Sequence, residues 1–370
     1  MRKIAVVTGS RSEYGLLKPV MTAIKNSDMK LLVVSAGMHL KPEYGSTYED
    51  IGKDGFKIDA EVFMPTGDTL AGSTVGGMAE SIGHGILGMN WALDYLRPDI
   101  ILCLGDRVEP LAATIAGAYM NIPVAHIHGG EVSGNIDDST RHAITKFAHL
   151  HFPATKESAE RIIKLGEETW RIHVVGTLGI NATHQGIIPK AKLFKELGLD
   201  LTCKVILVVQ HPETSGDNAE KMGEIMDAVT SFDYQIVVIY PNSDSGSEEI
   251  INIITGCPVY AFQSLPYIQY VSLLKHATVL VGNSSSGIYE APLFGTPVVN
   301  VGNRQDGRER VGNITDVPFD KHSIIMAIKD MGKVKTSHPF KIHTEGVDTI
   351  IKVLREVEIN QKLFQKRITY

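Results

Sequence analysis

Between His126 and His142 the chain reads His126-Ile-His128-Gly-Gly-Glu131-Val-Ser-Gly-Asn-Ile-Asp137-Asp138-Ser-Thr-Arg141-His142, a concentration of ionisable side chains that a solvated loop seldom needs. Carboxylates, imidazoles and a guanidinium held close together push one another's proton affinities apart, the condition for general acid and base work. Just upstream, the apolar residues 100–104 end in Gly105-Asp106-Arg107, and residues 124–127 lead directly into the histidines. Two successive strands thus bring Asp106, His128, Glu131, Asp137 and Arg141 to one edge as candidate catalytic groups. The plain alternative is an ion-pair network that ties two loops together.

A second set of residues suits an anion. Thr8-Gly9-Ser10-Arg11 lies between a strand and a helix, where small residues let the backbone approach a ligand and Arg11 can grip phosphate through two parallel N–H bonds. It lacks the GxGxxG pattern of dinucleotide binding, and a tight turn with a surface arginine competes as an explanation. Gly282-Asn-Ser284-Ser285-Ser-Gly287 follows the apolar residues 278–281 and is expected to open a helix, where amide N–H groups, hydroxyls and the positive helix end converge on a phosphate site. One serine would serve as a cap; three in a row exceed what a cap requires. Glu290, a turn later, is placed for ribose hydroxyls, and His211, at a strand's carboxyl end, directs an imidazole toward the same region. Arg304, Arg308 and Arg310 share a charged loop with Asp306 and Glu309, so only Arg304, nearest the strand end, is expected to face a ligand.

The elements that position these groups follow from short apolar runs, residues 4–7, 31–34, 100–104, 124–127 and a weaker 173–175, each read as followed by Gly or Asn and then a helix-length segment. The same grammar restarts after a seam near 176–189, with runs at 205–209, 235–239, 259–262, 278–281 and 298–301. Such alternation specifies βαβ units, and continuous apolar runs specify parallel strands covered on both faces. The expectation is an α/β chain of two doubly wound, Rossmann-like domains facing a cleft, residues 1–177 and 178–343, with a closing helix within 344–370 that crosses back to the first. Ligands of such sheets bind beyond the carboxyl ends of the strands, where all the groups above fall.

With 370 residues, 43% of them hydrophobic, the chain can bury two cores. A net charge of −6 argues against a nucleic-acid partner, so an anionic ligand must be attracted by local arginines. Cys103, Cys203 and Cys257 are odd in number and far apart and read as reduced thiols. No apolar stretch approaches the ~18 residues of a membrane span and no leader pattern follows Met1, so a cytoplasmic protein without a membrane partner is expected.

Taken jointly, these pieces resemble the UDP-N-acetylglucosamine 2-epimerase family, in the hydrolysing branch that feeds sialic-acid-type biosynthesis. The resemblance covers nearly the whole chain and rests on Thr8 to Gly15, Gly105-Asp-Arg107, His126 to Gly134, Ile136-Asp-Asp-Ser139, Arg141-His142, His211-Pro212, Gly282-Asn-Ser-Ser285, Glu290 and Phe294-Gly-Thr-Pro297. It implies the two-Rossmann architecture called GT-B and a UDP-sugar substrate. The equivalents of Arg11, His211, Ser284, Ser285 and Arg304 would hold the UDP phosphates and that of Glu290 the ribose. Those of Asp106, Asp137 and Arg141, with His211 reaching in, would serve the sugar. Where some members carry a glutamate this chain has His128, with Glu131 three residues on, and the sequence leaves open which of the two partners Asp106 in proton transfer. Family analogy also implies a homodimer or homotetramer, with the helix of residues 74–96 as candidate interface.

The implied reaction turns UDP-N-acetylglucosamine into N-acetylmannosamine and UDP through a 2-acetamidoglucal. It needs no redox cofactor, and no convincing metal cluster is present, since Asp137-Asp138 is expected to pair with Arg141. The rivals are the same hydrolysis on a diacetamido-trideoxy nucleotide sugar, a non-hydrolysing epimerase, a GT-B glycosyltransferase and a catalytically silent nucleotide-sugar sensor.

Overall fold

The computed structural model describes residues 1–65, 75–133, 136–178, 186–213, 216–242, 244–308, 310, 312–331 and 345–370. The first sheet comprises β1 (Lys3–Thr8), β2 (Lys30–Ala36), β3 (Ala60–Val62), β4 (Ile100–Leu104), β5 (Val124–Ile127) and β6 (Leu150–Phe152), in the order β3-β2-β1-β4-β5-β6. The second comprises β7 (Val205–Val209), β8 (Gln235–Ile239), β9 (Tyr260–Phe262), β10 (Val279–Gly282), β11 (Val298–Val301) and β12 (Ile314–Val317), in the order β12-β11-β10-β7-β8-β9. Every pairing is parallel. Helices α1 (Arg11–Lys25), α2 (Tyr48–Lys53), α3 (Val75–Leu96), α4 (Val108–Tyr119), α5 (Ile136–Phe147) and α6 (Lys156–Lys164) belong to the first half. Apolar clusters cover both faces of each sheet, which is why the central strands are apolar without alternation. The two strand orders are the same doubly wound pattern, the two-Rossmann GT-B arrangement expected. The order reverses between β1 and β4 and again between β7 and β10, and the loops leaving those four strands diverge to open a crevice.

Three differences from the expected elements have local causes. Residues 173–175 form no strand; they run beside β6, with the His173 N–H on the His151 carbonyl at 2.9 Å and the Val175 N–H on that of Pro153 at 3.0 Å. The strands without a sequence signal, β3, β6 and β12, are short sheet edges of three or four residues whose apolar runs are interrupted by Glu61, His151 and Asp316. The single closing helix is two, Gly346–Glu356 and Gln361–Phe364, separated by residues 357–360. The first of these buries Ile350, Ile351 and Leu354 in the core that holds Leu17 and Val20 of α1. Thr344, and residues 179–185 of the seam, lie outside the described residues.

Candidate active site

Both reversal points open onto one cleft of about 250 Å³. The first sheet contributes Arg11, Glu13, Asp106, Arg107, His128, Glu131 and Asp137; the second contributes His211, Ser284, Ser285, Glu290, Arg304 and Arg308. Of the residues put forward for the site from the sequence, Arg141 alone does not line it.

Tight turns set the first-sheet side. Ser10 caps α1 by accepting the Glu13 N–H, and the Glu13 carboxylate accepts the Gly9 N–H at 2.8 Å, a capping-box arrangement displaced by one residue. Gly105 leaves β4 at φ +83°, and His126 holds that turn by donating from Nε2 to the Gly105 carbonyl at 2.6 Å. His128 is a non-glycine residue at φ +62°, a conformation that costs energy and recurs where function dictates the backbone.

Arg141 is fully buried on α5, behind the cleft. It pairs with Asp106, donates to Asp138 Oδ1 at 2.5 Å and to the Glu131 carbonyl at 3.0 Å, and so acts by holding others. Burial alone would raise the Asp106 pKa, but Arg141, Arg308 and Arg304 outweigh it and draw the carboxyl down to about 2. Glu131 lies between His128 Nδ1, at 3.9 Å, and Arg308 Nη1, at 3.4 Å; its buried Oε1 has no hydrogen-bond partner among the described residues. His128 itself is held below its ordinary pKa by burial. Arg304 reaches across the cleft to Asp137 at 3.2 Å, so Asp137 and Asp138 are held by different arginines.

Arg308 corrects the sequence reading, which left it as a solvated partner of its acidic neighbours. The loop folds inward because the buried Gln305 amide donates to the Asn283 carbonyl at 2.6 Å, with turns at Gly302 and Gly307, both at positive φ. Arg308 then lies over the Tyr289 ring, 5.4 Å from its centroid, and beside Glu131. Arg310 does pair outward, with Asp316 at 2.9 Å.

On the second-sheet side, the Asn283 side chain accepts the His211 N–H at 2.7 Å and donates to the His211 carbonyl at 3.0 Å, locking the ends of β7 and β10 together. His211 Nδ1 accepts the backbone N–H of Asn242 at 3.2 Å. A backbone amide can only donate, so the ring carries its proton on Nε2 and presents an N–H donor. Burial, then Arg304, lower its pKa to about 3, which keeps the ring neutral. Ser284 and Ser286 hydroxyls lie 2.9 Å apart, and Tyr270 OH meets Ser286 at 2.5 Å. The expected helix is here two four-residue turns, Ser286–Tyr289 and Ala291–Phe294, because Pro292 supplies no amide N–H to continue the first. The second sheet therefore presents serine hydroxyls to the cleft here, without a long helix's dipole behind them. Glu290 accepts from Tyr267 OH at 3.2 Å, and burial lifts its pKa to about 7. Arg11 lines the cleft but is engaged by Asp50 and, at 2.7 Å, by Ser264.

Tyr267 and Tyr270, which follow β9, and Asp244, which follows β8, were missed. The rule that strand ends carry function would have found them had it been applied to all strands of the second sheet. Among the described residues no group of three or more His, Cys, Asp or Glu is arranged to hold a metal ion, and no helix is long and apolar enough to cross a membrane.

A family model described as UDP-N-acetylglucosamine 2-epimerase matches residues 22–347. The chain is 38% identical over 338 residues to a UDP-N,N'-diacetylbacillosamine 2-epimerase (hydrolyzing) of Legionella pneumophila, covering 89% of each protein. It is 32% identical over 369 residues to a UDP-N-acetylglucosamine 2-epimerase of Neisseria meningitidis, covering 97% of this chain and 95% of that one. Its fold matches a Methanocaldococcus jannaschii UDP-GlcNAc 2-epimerase, solved in complex with UDP-GlcNAc and UDP, with a TM-score of 0.79 at 18% identity over 95% of this chain and 99% of that one. With a family model spanning most of its length and relatives above 30% identity end to end, the chain belongs to the UDP-N-acetylglucosamine 2-epimerase family.

Proposed function

We propose that this chain is a hydrolysing 2-epimerase acting on UDP-N-acetylglucosamine, releasing UDP and N-acetylmannosamine. The observation that supports it best is one cleft with an anion grip on the second sheet facing an acid–base cluster on the first, with Arg304 and Arg308 of the grip side touching Asp137 and Glu131. The C2 hydrogen of the sugar has no carbonyl neighbour and is not acidic, so UDP departs first or nearly so. The His211 Nε2–H, Arg304 and the Ser284 and Ser285 hydroxyls stabilise charge on the departing diphosphate, each such donor being worth roughly 3–4 kcal/mol in the transition state. Asp106, held ionised by Arg141, faces the positive charge that develops at C1. Glu131, whose buried Oε1 accepts no hydrogen bond from a described residue and faces His128 Nδ1 at 3.9 Å, suits removal of the C2 proton, a role worth about 10²- to 10⁴-fold. Water then adds its hydroxyl to C1 of the 2-acetamidoglucal while C2 takes a proton on the opposite face. Turnover in heavy water should therefore give free sugar bearing deuterium at C2, with one UDP per sugar. Free sugar without deuterium would sink the elimination route, and label in a sugar still joined to UDP would indicate the non-hydrolysing reaction.

A second reading of the substrate comes from the higher identity to the Legionella relative, whose name specifies a diacetylated sugar. The chemistry at C1 and C2 would be the same. Comparing kcat/KM for the two UDP-sugars, with products followed by NMR, decides between them. We also infer that the protein works as a homo-oligomer joined through α3, where Leu87, Trp91 and Tyr95 stand exposed at four-residue intervals.

A further inference from the structure

Residues 362–366 are bound to the first domain by a dense set of polar contacts. Arg171 is fully buried and stacked on Trp170, yet it turns four bonds onto backbone carbonyls: those of His149 at 3.1 Å, Leu363 at 2.9 Å, Lys362 at 2.9 Å and Gln365 at 3.1 Å. This clasp delivers Lys366 to the C-terminal end of α5. The last carbonyls of a helix have no partner within it. Here the Ala148 N–H takes that of Ile144 at 2.8 Å, and Lys366 Nζ reaches those of Thr145 at 2.9 Å, Lys146 at 2.8 Å and Ala148 at 2.5 Å. Its charge is answered by Glu167, 2% exposed and 2.8 Å away, which also meets Lys146 at 2.6 Å and His151 at 3.2 Å. A cation on helix-terminal carbonyls is favourable in itself.

We propose that Lys366 is a positioning residue for the reaction: by capping α5 at one end, it sets where Asp137, at the other end, meets the cleft and where Arg141, midway along the helix, holds Asp106 from behind. This rests on the reading of those residues as site apparatus. The twelve residues of α5 span ~18 Å at about 1.5 Å each, so a tilt of ~3° at the capped end displaces the other by ~1 Å. A displacement of ~1 Å can cost about 10²-fold in rate. Arg141, about 9 Å from the capped end, passes about half of it to Asp106 and the Glu131 carbonyl, which it holds together.

The test is steady-state kinetics and UDP calorimetry on the full chain carrying Lys366→Met, beside Lys366→Arg and Asp106→Asn. In Lys366→Met, kcat falls about tenfold or more while the UDP Kd stays within about twofold, and Lys366→Arg, which keeps a cation on the carbonyls, recovers most of the loss. An unchanged kcat with only a lower Tm overturns the proposal, as does a loss of UDP affinity in step with kcat. Should Lys366→Met not fold, Glu167→Gln, which removes the charge that anchors Lys366, must show the same split or the proposal fails. Full turnover in Asp106→Asn would overturn the catalytic reading itself; loss of turnover there with Lys366→Met unaffected would overturn the positioning role alone.

Discussion

Arg141 engages Asp106, Asp138 and the Glu131 carbonyl together, so Asp106 enters the cleft as an anion already hydrogen-bonded, whereas Glu131 keeps one oxygen that accepts no hydrogen bond from a described residue. Asp106 titrates near 2, so its ionisation cannot set the acid limb of a pH–rate profile near neutrality. Replacing it removes charge from the sugar side and leaves the phosphate grip whole: Asp106→Asn should abolish turnover with little change in UDP affinity. Arg304→Ala should chiefly weaken UDP binding, by tenfold or more if a charge-assisted bond of about 1.5–3 kcal/mol is lost. Calorimetry with UDP on both variants checks this, and the reverse pattern would undo the division of roles. Glu13 supplies a pH prediction of its own. Burial first, then Glu109, raise its pKa to about 8 against the pull of Arg107. A raised carboxyl favours the folded state while protonated, so that stability is complete below the unfolded value of ~4.3 and lost as pH rises toward 8. Glu13→Gln should remove this slope: its Tm advantage over the parent grows between about pH 4.5 and 8 and is absent at lower pH. Parallel Tm–pH curves would contradict it. At this scale the sequence was most legible where chemistry follows directly from strand ends, as at Asp106 and His211; Arg308 was hidden because the inward fold of its loop depends on Gln305 reaching Asn283, a contact no local pattern announces.

β10 ends at Gly282, and the turn it makes decides whether the serine loop can sit beside His211. Its φ of +127° belongs to glycine, and a Cβ there would collide with the Val209 carbonyl at the end of β7. Gly282→Ala should therefore destabilise by at least the ~1–3 kcal/mol of a strained backbone position and weaken UDP binding by displacing Asn283 from His211. Urea unfolding and calorimetry read the two effects, and an unchanged midpoint would show that the loop adapts. Strands were legible where an unbroken apolar run marks them, not in proportion to burial: β9 is largely exposed and was read, whereas β6 is fully buried and was not. The central strands, covered on both faces, are apolar throughout, whereas β3, β6 and β12 carry Glu61, His151 and Asp316 within them and gave no signal. The closing segment kept helical spacing across residues 357–360, so periodicity could not show the break that brings Lys366 to α5.

The two sheets meet through polar contacts that cross the cleft: Arg11 with Ser264, Arg107 with Asp244, Arg304 with Asp137 and Arg308 with Glu131. Their partners lie 253, 137 and 167 residues apart for the first three, distances over which a sequence specifies no pairing, although it did specify that both sheets would offer their strand ends to one cleft. Beyond the single chain, α3 carries Leu87 at 56%, Trp91 at 71% and Tyr95 at 81% exposure, one above another on the helix surface. Large apolar side chains aligned in this way on a monomer mark a contact surface more often than chance exposure does. A second copy of the chain, presenting the same face, would cover them with a self-complementary interface, as two-fold association requires. Neither Trp91 nor Tyr95 lines the cleft, so Trp91→Glu with Tyr95→Glu should leave UDP affinity within about twofold while placing charges at the centre of the contact, where desolvation costs several kcal/mol. Sedimentation equilibrium should find the parent protein as a dimer or larger and the double variant as a monomer. A parent that sediments as a monomer at micromolar concentration, or a double variant that stays associated, would rule out α3 as the seam.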